Sequence, residues 1–443
     1  MAPLSLPDLQ ELVEAGIITP ETAGNIKEWY EQKKEPGSNR FILVFGIFGS
    51  LLVGLGIILL VGHNWDQFSR LIKTFFSFLP LLLAQVICLF VLFRKKDNAV
   101  WSESSAVFLF FSIAASMALI SQVYHVNGSL SSFLLTWLLL SFPLIYIMPS
   151  SGDSLLYIGV STWYGVEIGY FGMFNSNHTE MPSWYLILLA LAFPHYYHLW
   201  KNRKESNFFT LHNWVIAVSL IIMLGTFMGS RYPYPEWAFV GYLTLFCIFY
   251  GIGRSAYFTR SKAIANPFLL LGIAGVIVIL MIWSFGEVGK EIVADHSNKT
   301  AFFTWLFSYI TIALLIVNCL LIFVLQKSKA LINYSPVEIS PFIMALSILA
   351  ISHFPPVAPF MINGWILLIG LYYVRMGSRE NHLGILNFGL LIILTLAVIR
   401  FFDDSIPFVW RGLFFLVTGA GFFIANYWML RKRKQAINQN HLS

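Results

Sequence analysis

Charge is the scarcest class in this 443-residue chain: Asp, Glu, Lys and Arg together make 11% of it, against roughly 25% in an ordinary soluble domain. With 57% hydrophobic and 17% aromatic residues, a water-solvated globule is excluded. Nor is there a polar stretch of the 50 residues or so that a soluble catalytic domain needs, so any chemistry must be built from helices and their loops. Cysteine is nearly absent. Cys88, Cys247 and Cys319 all fall in apolar segments without CxxC or Cys/His spacing, which supports neither a disulfide framework nor a zinc site. No phosphate loop, nucleophile elbow, HExxH or dinucleotide fingerprint occurs, so nucleotide hydrolysis within the chain is not expected. No cofactor is implied.

What the chain has instead is apolar runs. Fourteen can be counted: 41 to 62, 71 to 93, 105 to 125, 130 to 148, 154 to 172, 183 to 200, 208 to 229, 235 to 253, 264 to 285, 301 to 326, 338 to 354, 357 to 374, 382 to 402 and 407 to 430. Each has about the length that crosses a hydrocarbon core of roughly 30 Å as a helix. The expected fold is an all-α polytopic bundle of about 14 spans, with the eleventh and twelfth parted by His353-Phe354-Pro355-Pro356. The formal charge of +6 would suggest nucleic acid in a soluble protein, but here the basic residues border apolar runs and report topology. With the N-terminus inside, 21 of the 28 Lys and Arg fall in cytoplasmic segments. That asymmetry predicts an even number of spans and cytoplasmic termini, with the Arg431 to Lys434 tail inside and no nucleic-acid partner.

Residues 1 to 40 hold seven acids and four bases without a continuous apolar core, so the first span is expected to target the membrane itself. Leu6, Leu9, Leu12 and Val13 share one helical face, Gly16 breaks it, and Thr19-Pro20-Glu21 has the cap, proline and early acid of a second helix. Ile26, Trp29 and Tyr30 give that helix its apolar side. The expectation is a small cytoplasmic helical hairpin.

The chain also resembles itself. LLLAQVICLFVLFRKK (81 to 96) aligns with LLIVNCLLIFVLQKSK (314 to 329), placing Gln85 on Asn318. Gly46 and Gly49 fall on Gly272 and Gly275, His125 on His353, Trp137 on Trp365 and Met148 on Met376. A parallel duplication gives a 6+2+6 plan: hairpin 1 to 40, first repeat 41 to 205, two inserted spans 206 to 263, second repeat 264 to 434 and tail 435 to 443. Parallel repeats about an axis along the membrane normal recur in secondary transporters, whose sites lie at the repeat interface; duplication can also merely build a large bundle. Gly46, Ser50 and Gly54 in the first span, with Gly49 and Val53 beside them, and Gly272 and Gly275 in the ninth, predict close helix packing.

Polar groups within the membrane need a reason, because an acid there costs at least about 2.5 kcal/mol. Glu167, in the fifth span, is the clear case and a candidate proton or cation site; a neutral acid hydrogen-bonded in the bundle is the competing reading. A second collection is expected at the outer ends of spans: His63, Asn64, Trp65 and Asp66 after the first, Gln122, Tyr124 and His125 closing the third, and His353 closing the eleventh. These could line an outward-facing vestibule, although Trp and Tyr also mark any membrane interface. His195 and His198 share a face near His212. Without a carboxylate they are weak metal ligands and read best as interfacial aromatics. Asp403-Asp404 with Arg400 and Arg411 read as a loop-closing charge cluster.

The LxxLxxxGIIT hairpin, the glycine-rich first span ending in Asn64-Trp65-Asp66, and Gln122-Val123-Tyr124-His125 closing the third resemble the bacterial predicted membrane proteins carrying domain of unknown function 2157. The likeness covers the hairpin and roughly the first five spans. It implies a bacterial inner-membrane protein with Asn64, Trp65, Gln122, Tyr124 and His125 as characteristic positions, and it transfers no activity. The major-facilitator loop motif is absent from Arg94-Lys95-Lys96-Asp97. Three functions stay open: a carrier of a small or lipid-linked solute, with proton coupling through Glu167 or His125; an enzyme using Asp66, His63 and His125 at the outer interface; and a scaffold or sensor read out through the hairpin. A continuous polar cavity would favour the first, a shallow His/Asp cluster the second, and apolar packing throughout the third.

Overall fold

The computed structural model describes residues 15–33, 65–95, 98–171, 184–227, 235–255, 263–285, 306–327, 335–354 and 357–401, with a few isolated positions. Among these residues all regular structure is helical: α1 Pro20–Lys33, α2 Arg70–Arg94, α3 Ala99–Tyr124, α4 Leu130–Ser141, α5 Leu144–Ile147, α6 Ser151–Val166, α7 Trp184–Asn202, α8 Asn207–Thr226, α9 Pro235–Arg254, α10 Pro267–Trp283, α11 Leu306–Lys327, α12 Ser340–His353, α13 Val357–Arg379 and α14 Leu383–Phe401. The chain divides into two units, residues 1–76 and 77–443.

In the first unit, α1 starts where the sequence predicts. The Thr19 hydroxyl accepts the Thr22 N–H at 3.2 Å, satisfying one of the orphan donors of the first turn. Gly16 ends the preceding turn with φ +69°, a left-handed backbone that only glycine adopts without strain. Leu6, Leu9, Leu12 and the glycines of the first span lie outside the described residues.

In the second unit, short polar residues set the helix starts. Asn98 accepts the Val100 and Trp101 N–H groups, Ser129 that of Ser132, Ser206 that of Phe209 and Asn266 that of Leu269. Each supplies an acceptor to a helix end that would otherwise leave its donors unpaired in apolar surroundings. Hydroxyls within helices turn back on their own chain: Ser112 donates to Phe108 O and Thr244 to Val240 O. They therefore cost little to bury.

Eight described helices are long and apolar enough to cross a membrane: Arg70–Arg94, Ala99–Tyr124, Leu130–Ile147, Asn207–Thr226, Glu236–Arg254, Phe307–Leu325, Val357–Arg379 and Leu383–Phe401. The sequence count was fourteen. Runs two to thirteen each coincide with helix, but four of these helices fall short of the criterion. Ser151–Val166, Pro267–Trp283 and Ser340–His353 are shorter, and the second half of Trp184–Asn202 is rich in tyrosine and histidine and so less apolar. The run 41 to 62 lies outside the described residues, as does most of 407 to 430. The break between runs eleven and twelve stands where expected, between His353 and Val357.

The helices are amphipathic in a membrane sense, with apolar groups on both faces. On α2, Ala84, Cys88 and Val91 are buried while Leu82, Val86, Leu89 and Phe93 are exposed. The inner face packs on protein, and the outer Leu and Phe suit lipid rather than water. One core joins α3, α4 and α6 through Phe110, Leu134, Leu138 and Tyr157. Another joins α9, α10, α12 and α13 through Val240, Val276, Met344 and Ile366. Glycine permits the closest approaches. A Cβ at Gly272 would meet Tyr250 N at 2.5 Å, and one at Gly275 would meet the Phe246 ring at 2.4 Å, so the predicted close packing there is realised between α9 and α10.

Candidate functional site

A dense polar site forms where α6 begins, in the segment Ser150-Ser151-Gly152-Asp153-Ser154. Ser150 caps the helix by accepting the Asp153 N–H at 3.1 Å, and its own hydroxyl donates to Glu103 Oε2 at 2.5 Å. Glu103, near the start of α3, also accepts the Ser151 N–H on Oε1 at 2.9 Å and the Gly152 N–H on Oε2 at 2.8 Å. A carboxylate from one helix thus occupies the positive N-terminus of another. Gly152 leaves room for it, since a Cβ there would lie 3.2 Å from Glu103 Oε2 and 3.2 Å from the Val107 side chain. Glu103→Gln turns one acceptor into a donor facing N–H groups. Hydrogen bonds to a charged group are worth about 1.5–3 kcal/mol, and a loss of that order is expected in chemical unfolding of the purified protein, with Glu103→Asp intermediate.

Behind this latch the polar groups are buried. Asp153 is 0% exposed, and neither carboxyl oxygen has a hydrogen-bond partner; nor has the Tyr157 hydroxyl one turn along the same face. The Cys88 thiol donates to Ser105 O at 3.3 Å. From α8, His212 Nδ1 donates to Phe208 O at 2.7 Å and its Nε2 takes the Ser154 hydroxyl proton in a 3.1 Å bond, the neutral tautomer that satisfies both partners. From α7, His195 Nε2 lies 3.3 Å from Ser151 Oγ, and the two imidazole centroids are 5.8 Å apart. His195 and His212 are therefore buried network members, which corrects their reading as interfacial aromatics. His198 is exposed, beside Asn202. Among the described residues no group of three or more His, Cys, Asp or Glu is placed to hold a metal ion.

The candidates read from the sequence are distributed as follows. His63 and Asn64 lie outside the described residues, as do Asp403, Asp404 and Arg411. Trp65 and Asp66 form a short 3₁₀ turn in the first unit, where Lys73 Nζ stands 5.9 Å from the Trp65 ring centre. Gln122, Tyr124 and His125 are exposed together at the end of α3. His125 adopts the left-handed conformation (φ 52°), and its N–H reaches Ser121 O to close the helix. Glu167 begins a π-helical turn, Glu167–Phe171, half-buried, where Gly169 lies against Thr226 and Tyr170 donates to Ile222 O at 3.0 Å. His353 is the last residue of α12. No hydrogen bond joins any two of Gln122, His125 and Glu167.

A second polar site stands at the start of α12. Arg254 Nη1 donates to Glu338 Oε1 at 2.9 Å, with the two side chains 13% and 3% exposed. The guanidinium lies over the Tyr250 ring, 5.3 Å from its centre. The Tyr250 hydroxyl donates to Ser335 at 3.0 Å and shares a 2.7 Å bond with Tyr373. Asn318 Nδ2 donates to Glu338 O, and the Cys247 thiol to Val337 O. Four helices thus converge on residues 335–339.

Sequence reasoning passed over Glu103, Asp153 and Glu338. The signal was present for Asp153: it is the only acid between Glu103 and Glu167, in a five-residue loop of serine and glycine between two apolar runs. Counting only acids inside runs misses it by one position.

Residues 10–152 match the family described as "Predicted membrane protein (DUF2157)", the family to which the hairpin and Gln122 to His125 point. The match contains Glu103 and ends at Gly152. No curated protein and no solved structure matches the chain.

Proposed function

We propose that the protein is a membrane carrier for a small or lipid-linked solute, set in a bacterial inner membrane with both termini cytoplasmic. The observation that carries this reading is the layout of α3. Glu103 and the buried acid–imidazole cluster stand at its start, while the exposed Gln122, Tyr124 and His125 stand at its end. At a rise of about 1.5 Å per residue the two polar levels are about 33 Å apart, close to the thickness of a hydrocarbon core. A solute crossing the membrane would meet polar groups at both levels.

The parallel-repeat reading is supported by corresponding contacts. The aligned tryptophans both reach back to the preceding helix: Trp137 Nε1 donates to Phe110 O at 2.9 Å, and Trp365 Nε1 to Ser340 Oγ at 3.0 Å. Both α3 and α12 begin beside a polar acid site and end on the aligned histidines His125 and His353. Gln122, Tyr124, His125, Glu167 and His353 are proposed to serve the solute on the outer side. The test is solute-dependent flux in proteoliposomes, screened with amino acids, sugars, organic cations and lipid-linked saccharides. Uptake above protein-free vesicles, reduced at least tenfold by Gln122→Ala with His125→Ala, is expected. Uptake equal to that of protein-free vesicles across all four classes would contradict the reading.

A further inference from the structure

The buried cluster at the start of α6 contains a group that neither the latch nor the packing uses. Asp153 is completely enclosed with both carboxyl oxygens unpartnered, and the Tyr157 hydroxyl beside it is also unpartnered. Buried polar groups normally find hydrogen bonds, so two adjacent exceptions on one helix face call for an explanation. An ionised carboxylate in this position would be an uncompensated charge, whose burial costs far more than that of a neutral acid. Among the described residues no Lys or Arg forms an ion pair with it.

We propose that Asp153 is the proton-binding group of the carrier. This deepens the carrier reading and rests on it, by naming the coupling ion. The titratable groups around Asp153 fit a proton. Glu103 on α3 is already held by Ser150, Ser151 and Gly152, and its negative charge disfavours a second one nearby. Cys88 on α2 donates its thiol proton elsewhere. Tyr146 on α5 donates to Leu191 O. His195 and His212, on α7 and α8, have serine partners at Nε2. Asp153 precedes the apolar run 154 to 172, and burial, followed by the Glu103 charge, pushes its carboxyl up to about 8. A metal cation would need several converging oxygens, whereas a proton needs only the carboxyl itself. On release, Asp153 becomes the carboxylate and the proton passes to water admitted when the carrier opens the cluster.

The sign of the pH dependence follows. The folded chain holds this proton over a range, from the ordinary value of 3.8 to about 8, in which an unfolded chain has lost it. Stability therefore falls as pH rises through that window. The experiment is infrared difference spectroscopy of the full chain in lipid vesicles, stepped in pH in light and heavy water. Thermal unfolding over the same range and proton flux into dye-loaded vesicles complete it. In the wild-type protein, a protonated-carboxyl carbonyl band should be present at neutral pH, shift on deuteration and vanish at alkaline pH. Asp153→Asn should lack the band, unfold with a flatter pH profile and uncouple solute movement from protons, while Asp153→Glu restores the band. A carboxyl band unchanged in Asp153→Asn, or flux driven by sodium and indifferent to pH, would overturn the proposal. The band is read without solute, so a titrating Asp153 in a protein that moves no solute would sink the carrier reading alone. Flux with no such band would sink the proton site alone.

Discussion

Glu338→Ala is expected to lower unfolding stability by about 3–5 kcal/mol, the range for breaking a buried ion pair by removing one partner. The effect comes from the charge left behind. Arg254 is 13% exposed and packed over Tyr250, and the substitution removes the carboxylate to which its guanidinium donates at 2.9 Å. The backbone of the same turn is held separately by Asn318 and Cys247, so the loss should be local to the pair. A double variant, Arg254→Met with Glu338→Leu, should recover most of the stability, since a buried pair replaced by apolar side chains is often neutral or better. Unfolding followed by tryptophan fluorescence in one detergent would check this. Equal losses in the single and double variants would show that shape, not charge, sets the cost.

The second large effect is expected at the contact of α13 with α14. A Cβ at Gly377 would meet Leu386 N at 2.3 Å and its Cα at 2.6 Å, and one at Gly389 would meet Val374 N at 2.6 Å. These neighbours are backbone, which cannot rotate away as a side chain can, so the helices must separate. Overpacking a core costs typically 1–3 kcal/mol, occasionally more, and Gly377→Leu should reach or exceed about 3 kcal/mol. Gly364, on the same helix, is the control: a Cβ there meets nothing within 4 Å. Gly364→Ala should leave stability unchanged or raise it by up to about 1 kcal/mol, the propensity difference between the two residues. Similar losses at both positions would mean that these helices do not pack through their glycines.

Much of the fold was legible because the governing signals are local. Run length located the helices, Thr19-Pro20 placed the start of α1, Pro355-Pro356 the break before α13, and Gly272 and Gly275 the close approach to α9. Residues 10–152 carry the predicted membrane family, foreshadowed by Gln122 to His125. Span count was less legible: eight described helices are long and apolar enough to cross a membrane, and the length of an apolar run does not by itself separate these from Ser151–Val166 or Pro267–Trp283. The polar sites were least legible, because they depend on residues far apart in the chain. Glu103 meets Ser150 to Gly152 across 47 to 49 positions, and Arg254 meets Glu338 across 84. Glu103 stands just before the third run and Glu338 opens the eleventh, and neither stands out until the helices carrying them are packed. His195 and His212 read as interfacial until Ser151 and Ser154 are set beside them.

The account turns on α3 placing its two ends on opposite sides of a bilayer. Single cysteines at Ser104 and Val126, introduced after Cys88, Cys247 and Cys319 are replaced by serine, can be reacted in sealed cells with a membrane-impermeant maleimide. Ser104 and Val126 are both exposed in the fold, so differences in labelling report the membrane. Val126→Cys should be labelled from outside and Ser104→Cys only after the cells are opened. Labelling of both from the same side would contradict it.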